Sequence, residues 1–238
     1  MTNSHKIVSH EQWTEARKKF LVKEKEFTRL REEMSKERRD LPWEEVTKVY
    51  EFDGPNGKQK LPDLFEGRSQ LVVYHFMFGP DWEAGCAHCS FWADNFNEII
   101  VHLNHRDVTM IAASRAPYQK LAEYKKRMGW KFKWVSSNGT DFNFDYQASF
   151  TDDELAKRSA LYNYVVQDPG FSDREGISVF FKDEAGRVFH TYSTHARGID
   201  IVNTAYHYLD LVPKGRDEGD RSQYWVRRHD EYQVGTAG

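Results

Sequence analysis

The chain has 238 residues, 39% hydrophobic and 30% charged, with a formal net charge of −3. That length and balance suit a soluble globular domain with a substantial core and exclude a disordered polar chain. The near-neutral charge argues against nucleic acid as the main partner, and the absence of any run near ~20 apolar residues argues against a membrane span.

The predicted elements begin with a long helix over residues 9–39. Ser9 and Gln12 form the pattern of a capping box, and Trp13, Phe20, Phe27 and Met34 recur every seven residues among alternating Lys/Arg and Glu. Such a stripe suits either packing on the helix's own domain or a dimerisation arm. Leu41-Pro42-Trp43 ends this helix. Val46 to Phe52 reads as a strand, Gly54-Pro55-Asn56-Gly57 as a turn, and Leu61 to Arg68 as a short connection. Gln70 to Met77 is nearly all apolar or aromatic, as in a central strand buried on both faces.

After a loop from Phe78 to Gly85, the spacing turns helical. Cys89, Trp92, Phe96, Ile99, Ile100 and Leu103 fall at steps of three and four, so one helix is expected through Leu103. Asp107 to Ala113 reads as a second buried strand, and Tyr118 to Met128 as a helix closed by Gly129. An aromatic insert over 130–172 follows; within it Thr151 and Glu154 suggest a capping box opening a helix to about Val166. Ile177 to Phe181 and Arg187 to Tyr192 form a hairpin, Ile199 to Leu211 a closing helix, and residues 213–238 a charged, irregular tail in which Tyr224, Trp225 and Tyr232 are candidate anchors. The domain plan is thus a helical arm over 1–40, an α/β domain over 41–212 and the tail.

The two cysteines of the chain lie three apart, Cys86-Ala87-His88-Cys89. Two cysteines exclude a disulfide scaffold, and the polar start Met1 to Lys6 lacks the apolar core of a secretory signal, so cytoplasm is the expected compartment. Thiols there are mostly reduced, which favours a catalytic or metal-binding pair over a permanent staple. The order strand, CxxC-helix, strand, helix, hairpin, helix is thioredoxin-like: α/β, a central mixed sheet flanked by helices. At the first turn of a helix, free N–H groups and partial positive charge stabilise a thiolate. Cys86 is then the candidate nucleophile and Cys89 the resolver, with His88 between them to stabilise the Cys86 thiolate. A metal reading needs four ligands. His75, His88, His102, His105 and His190 are candidates, but no pair lies at convincing spacing, and His102 and His105 sit more than about 20 Å along the helix from Cys86 at ~1.5 Å per residue. No metal and no cofactor is therefore expected.

The strings Gln70 to Phe78, Gly85 to Asp94, Arg39 to Trp43, Ser114-Arg115-Ala116-Pro117, Arg127 to Trp130, Trp134 to Ser137 and Asp141-Phe142-Asn143 resemble a widespread bacterial thioredoxin-like family. That family is usually labelled a domain of unknown function or a predicted dithiol-disulfide oxidoreductase. The resemblance covers about residues 10–232 and implies dithiol–disulfide exchange, with Cys86 and Cys89 at the attacking and resolving positions. One departure concerns substrate docking. Thioredoxins carry a cis-proline before the strand facing the pair; here Gly176-Ile177-Ser178 stands there, and Ile177 is expected to be trans. Ile177, Trp82 as a lid over the sulfur, and Arg115 as a cationic helper are the candidate substrate-binding residues. The expected partner is a disulfide-containing protein or a small-molecule disulfide, with an unidentified reductant and a homodimer through the first helix. Two alternatives stay open. One is a peroxiredoxin-like thiol peroxidase, disfavoured by Glu83 where those enzymes place a threonine. The other is a non-catalytic binding or assembly protein on the same scaffold.

Overall fold

The computed structural model describes residues 5–232. The chain divides into two compact units between Pro42 and Trp43. The first contains helix α1 (His10–Arg39), capped as the sequence implies: Ser9 Oγ accepts the Gln12 N–H and the Gln12 side chain accepts the Ser9 N–H. Lys36, Arg38 and Arg39 in its last turn complement the helix dipole. No residue of α1 is buried, and Trp13 is 57% and Phe27 66% exposed.

The second unit runs β1 (Glu44–Glu45), β2 (Glu51–Gly54), β3 (Gly57–Lys60), a 3₁₀ turn (Leu61–Phe65), β4 (Gln70–His75), α2 (Ala87–Phe96), α3 (Ile100–His105), β5 (Val108–Ser114), α4 (Tyr118–Arg127) and β6 (Lys133–Ser136). It continues with α5 (Phe142–Asp145), α6 (Asp152–Lys157), β7 (Ala160–Tyr162), β8 (Val165–Gln167), β9 (Gly176–Lys182), β10 (Val188–His195), a 3₁₀ helix (Ala196–Val202), α7 (Thr204–Leu209) and a last 3₁₀ turn (His229–Glu231). The main sheet has the order β1-β10-β9-β4-β5-β6-β2-β3. Strands β4, β5 and β6 are mutually parallel; β9 and β10 form an antiparallel hairpin on the other side of β4. A parallel β4–α2–β5 crossover flanked by that hairpin is the thioredoxin-like fold.

Both faces of the sheet are covered. Tyr74, Phe76, Met110, Ala112, Trp134 and Ile177 pack with Cys89, Trp92, Phe96, Leu121 and Tyr124 on one side. Leu71, Val73, Ile111, Ala113, Val135 and Phe180 pack with Leu64, Phe65, Phe142 and Tyr146 on the other. The apolar run of β4 follows from this double burial.

The structure corrects several expected elements. The strand expected at Val46 begins at Glu51, after Val46–Tyr50 runs irregularly, and the Pro55–Asn56 turn returns as β3. The helix after the cysteines breaks over residues 97–99, where Asn97 turns its side-chain oxygen to the Lys131 N–H at 2.7 Å, a contact between distant parts of the chain. The aromatic stretch at 130–172 is not wholly an insert, because β6 joins the main sheet beside β5. The Thr151–Glu154 capping box is present, but its helix stops at Lys157, with Arg158 left-handed at φ 52°. Ala160 to Gln167 instead form the β7–β8 hairpin. Its turn residues Asn163 and Tyr164 both take positive φ, 52° and 63°, as a two-residue hairpin turn of this kind requires. The closing helix is split at Asn203, which caps α7 by accepting the Tyr206 N–H at 3.1 Å. Of the tail, residues 213–232 are described, and Val226 is buried within them.

Candidate active site

The site lies where β4 ends. The chain leaves the sheet at His75, turns through a loop closed by the Cys86 N–H donating to the Met77 carbonyl at 3.0 Å, and enters α2 with Cys86 as its N-cap. Gly85 is required here by space. A Cβ would stand 2.8 Å from Phe76 Cε1 and 2.9 Å from Tyr124 Cε1, both on core rings. The Gly85 carbonyl accepts the Arg228 guanidinium at 2.8 Å, and the Arg228 Nε–H donates to the Tyr124 hydroxyl at 2.8 Å, so the tail is tied to the base of the site.

Cys86 is partly exposed and Cys89 is buried; both are free thiols. Cys86 offers no oxygen cap to α2, so its sulfur stands among the unpaired N–H groups of the first turn. Hydrogen bonding from the Cys89 thiol, then from His88 and from the Cys89 amide, holds the Cys86 thiol well below its ordinary range, against the opposing effect of burial. Cys89 is pushed the other way, by burial and then by its bond to Cys86 and the Cys86 charge. His88 is raised by its bond to the Cys86 sulfur. The two sulfurs are thus unlike: Cys86 is the more acidic and is partly exposed, Cys89 the less acidic and is buried.

A cavity of about 580 Å³ opens over this pair. Its apolar walls include Trp82, Trp92, Phe171 and Ile199, and its polar ones Tyr74, His88, Arg174, Glu175, Arg197, Asp200, Gln223 and Arg228. This is the size of sites that enclose small ligands. Among the described residues, no group of three or more His, Cys, Asp or Glu side chains is placed to hold a metal. No helix among them is long and apolar enough to cross a membrane.

Of the residues singled out from sequence, Cys86, His88, Cys89 and Trp82 meet at this cavity. Trp82 packs over Gly79, where a Cβ would come within 2.8 Å of the indole nitrogen. Arg115 does not reach the cavity wall. Its Nε–H and Nη2–H donate to the two oxygens of Asp173 at 2.7 and 2.8 Å, and its guanidinium lies over Phe144. Asp173 is itself buried and accepts the Ser149 and Ser172 hydroxyls at 2.7 and 3.0 Å. Arg115 therefore anchors the segment that carries Arg174 and Glu175 to the cavity. Ile177 is trans, as expected, no described peptide bond being cis, but it lies in the core opposite Tyr74. The cavity wall at that strand end is Glu175.

Tyr74, Arg174, Glu175 and Arg228 were not evident from sequence. Tyr74 sits in a run that burial alone explains. Glu175 carried one usable signal, a charge immediately before a core strand. Arg228 follows Tyr224 and Trp225, aromatic anchors that mark the tail as docked.

The described fold is similar to three solved structures at low identity. These are the peroxidoxin BcpB from Mycobacterium tuberculosis (10% identity, TM-score 0.45, covering 69% of this chain and 94% of that one), peroxiredoxin Q from Xanthomonas campestris (14%, 0.43, 70% and 96%) and a yeast mitochondrial 1-Cys peroxiredoxin (15%, 0.41, 71% and 78%). No curated protein matches the chain. A family model described as "bacterial protein of unknown function (DUF899)" matches residues 2–232, nearly the whole sequence, and the chain belongs to that family.

Proposed function

We propose that this protein is a thiol–disulfide oxidoreductase. The supporting observation is the asymmetry of the pair: a partly exposed Cys86 at a helix N-terminus, its thiol held below the ordinary range, beside a buried Cys89 whose thiol is held above it. The Cys86 thiolate attacks a substrate disulfide; the new bond is Cys86–S–S–R, and the other half leaves as a thiolate that takes up a proton. Cys89, once deprotonated, attacks the Cys86 sulfur, closes the intramolecular disulfide and releases the second thiolate. A dithiol reductant returns the pair to its starting state, with two electrons transferred per cycle.

The peroxidase reading has less in its favour. Arg115, the cation it would call on, is engaged by Asp173, and Glu83 stands in the loop where a neutral hydroxyl donor is wanted. In the cytoplasm, the proposed compartment, such a pair is kept largely reduced between turnovers. A homodimer through α1 belongs to the same proposal, because its apolar stripe is uncovered. Light scattering tests that part: a mass of one 28.0 kDa chain for the intact protein rejects it.

The redox proposal is tested by the pH dependence of Cys86 alkylation, located by mass spectrometry, with reduction of small and protein disulfides by the pre-reduced enzyme. A Cys86 thiol that titrates at or above the free value of about 8.5, together with no disulfide reduction, overturns it.

A further inference from the structure

The resolving step poses a problem that the pair alone does not solve. Cys89 is buried and protonated, yet it reacts only as a thiolate. In the resting pair His88 is bonded to the Cys86 sulfur rather than to Cys89. A route for the Cys89 proton is required.

Two features of the cavity meet that need. The Tyr74 hydroxyl is fully buried at the inner wall and has no hydrogen-bond partner of ordinary geometry; its polar neighbour is the Cys89 sulfur. An unpartnered buried hydroxyl is costly to keep, so its retention at a cavity wall calls for an explanation. Glu175 lines the same cavity and is held in place from behind. The Tyr162 hydroxyl donates to its carbonyl at 3.0 Å and to its carboxylate at 3.3 Å, while the Arg174 Nε lies 3.7 Å from the other oxygen. The Arg115–Asp173 pair fixes the strand end two residues earlier.

We propose that Tyr74 and Glu175 form the proton route that activates Cys89 for the resolving step. This rests on the redox reading of the pair. The Cys89 S–H proton passes to the Tyr74 oxygen as Tyr74 gives its own proton towards Glu175, through solvent that a polar-walled cavity of this size admits. The Cys89 sulfur bonds to Cys86, the Cys86–substrate S–S bond breaks, and the departing thiolate takes the proton from Glu175. A hydroxyl serves both as acceptor and donor, and a carboxylate stores the proton between the two sulfurs.

Charged and titratable groups face this route from several elements. Cys86 and His88 face it from the start of α2, Arg174 from beside Glu175, and Tyr162 from β7. Arg197 and Asp200 face the cavity from the 3₁₀ helix, where Asp200 is also bound by Arg216 at 3.0 Å, and Arg228 faces it from the tail, where Glu231 holds it at 2.8 Å.

One equivalent of the chromogenic disulfide dithiobis(nitrobenzoate) separates the two steps. The first coloured thiolate reports attack by Cys86; the second reports closure by Cys89 and is independent of protein concentration. In Glu175→Gln the second phase is expected to slow at least ~10-fold near neutral pH and then to rise about tenfold per pH unit as hydroxide takes over; the first phase stays within about twofold. Glu175→Asp recovers part of the loss. Tyr74→Phe slows the second phase similarly. Should Tyr74→Phe fail to fold, the partly exposed Glu175 variants still decide the matter. Closure in Glu175→Gln at the wild-type rate with the wild-type pH profile overturns the assignment while leaving the redox pair intact. A wild-type protein in which Cys86 reacts and no second phase follows overturns both.

Discussion

His75 gives the most quantitative prediction. It is fully buried on β4, on the sheet face opposite the cavity, stacked on Phe142 at 5.5 Å between ring centres. Its Nε2 is bonded to the Ser178 hydroxyl at 2.9 Å, and its Nδ1 has no partner of ordinary geometry. Burial, with the neighbouring His195 and His190 adding to it, lowers its pKa from 6.5 to about 3. The unfolded chain therefore binds a proton at this residue that the folded chain refuses. Stability from this group is complete above about pH 6.5 and falls as the pH is lowered toward 3. From about pH 8 to pH 5 the loss works out at roughly 2 kcal/mol, a shift of one unit being worth ~1.4 kcal/mol. His75→Phe keeps an aromatic ring in the stack, and Ser178 retains Ser193 at 2.8 Å as a partner. Urea unfolding of both proteins across that pH range is the assay. The wild-type protein should lose about 2 kcal/mol more than the variant on acidification. Equal losses would show that His75 is not the buried neutral group, and the reasoning fails.

Removing the His88 ring in His88→Ala withdraws one donor from the Cys86 sulfur. The pH profile of Cys86 alkylation should shift upward while thermal stability barely moves, because the residue is exposed. Asp173→Asn leaves the Arg115 guanidinium facing a neutral amide inside a largely buried network; the expected cost is roughly 3 kcal/mol by denaturant unfolding. Gly85→Ala pushes a methyl group into the rings of Phe76 and Tyr124. A loss of about 1–3 kcal/mol in unfolding free energy is expected, together with altered Cys86 reactivity, since the displaced residue is its neighbour.

What was legible in the sequence was local. Ser9 with Gln12, and Thr151 with Glu154, are three residues apart and close their capping boxes without help from the rest of the chain. Cys86, His88 and Cys89 share one helical turn after an apolar run, so their meeting needed only the strand–helix junction. The failures came where a local signal was overridden or a contact was distant. The box at Thr151 suggests a helix to about Val166, whereas Asn163 in a left-handed turn, followed by Val165 and Val166, marks a hairpin. Arg115, a candidate cationic helper from sequence, has its partner Asp173 58 residues away, where no local pattern points. Glu175 and Arg228 reach the cysteines only once the sheet and the tail have been placed, and neither has a periodic pattern pointing to it.

The central strand separates two chemistries by one residue. On β4, Tyr74 points to the cysteine side and His75 to the opposite side, where the hydrogen-bonded chain His75–Ser178–Ser193–His190 lies, with links of 2.9, 2.8 and 2.7 Å. Because side chains alternate along a strand, a slip of one position would exchange the two, setting an imidazole against Cys89 and a phenol among the serines. Register is therefore part of the proposed redox site. It is pinned on both edges of β4, by β5 with Tyr74 opposite Ala112 and by β9 with Tyr74 opposite Ile177. Ile177, a substrate-binding candidate from sequence, takes part in this pairing: it lies opposite Tyr74 in β9, the strand that Glu175 at the cavity wall immediately precedes.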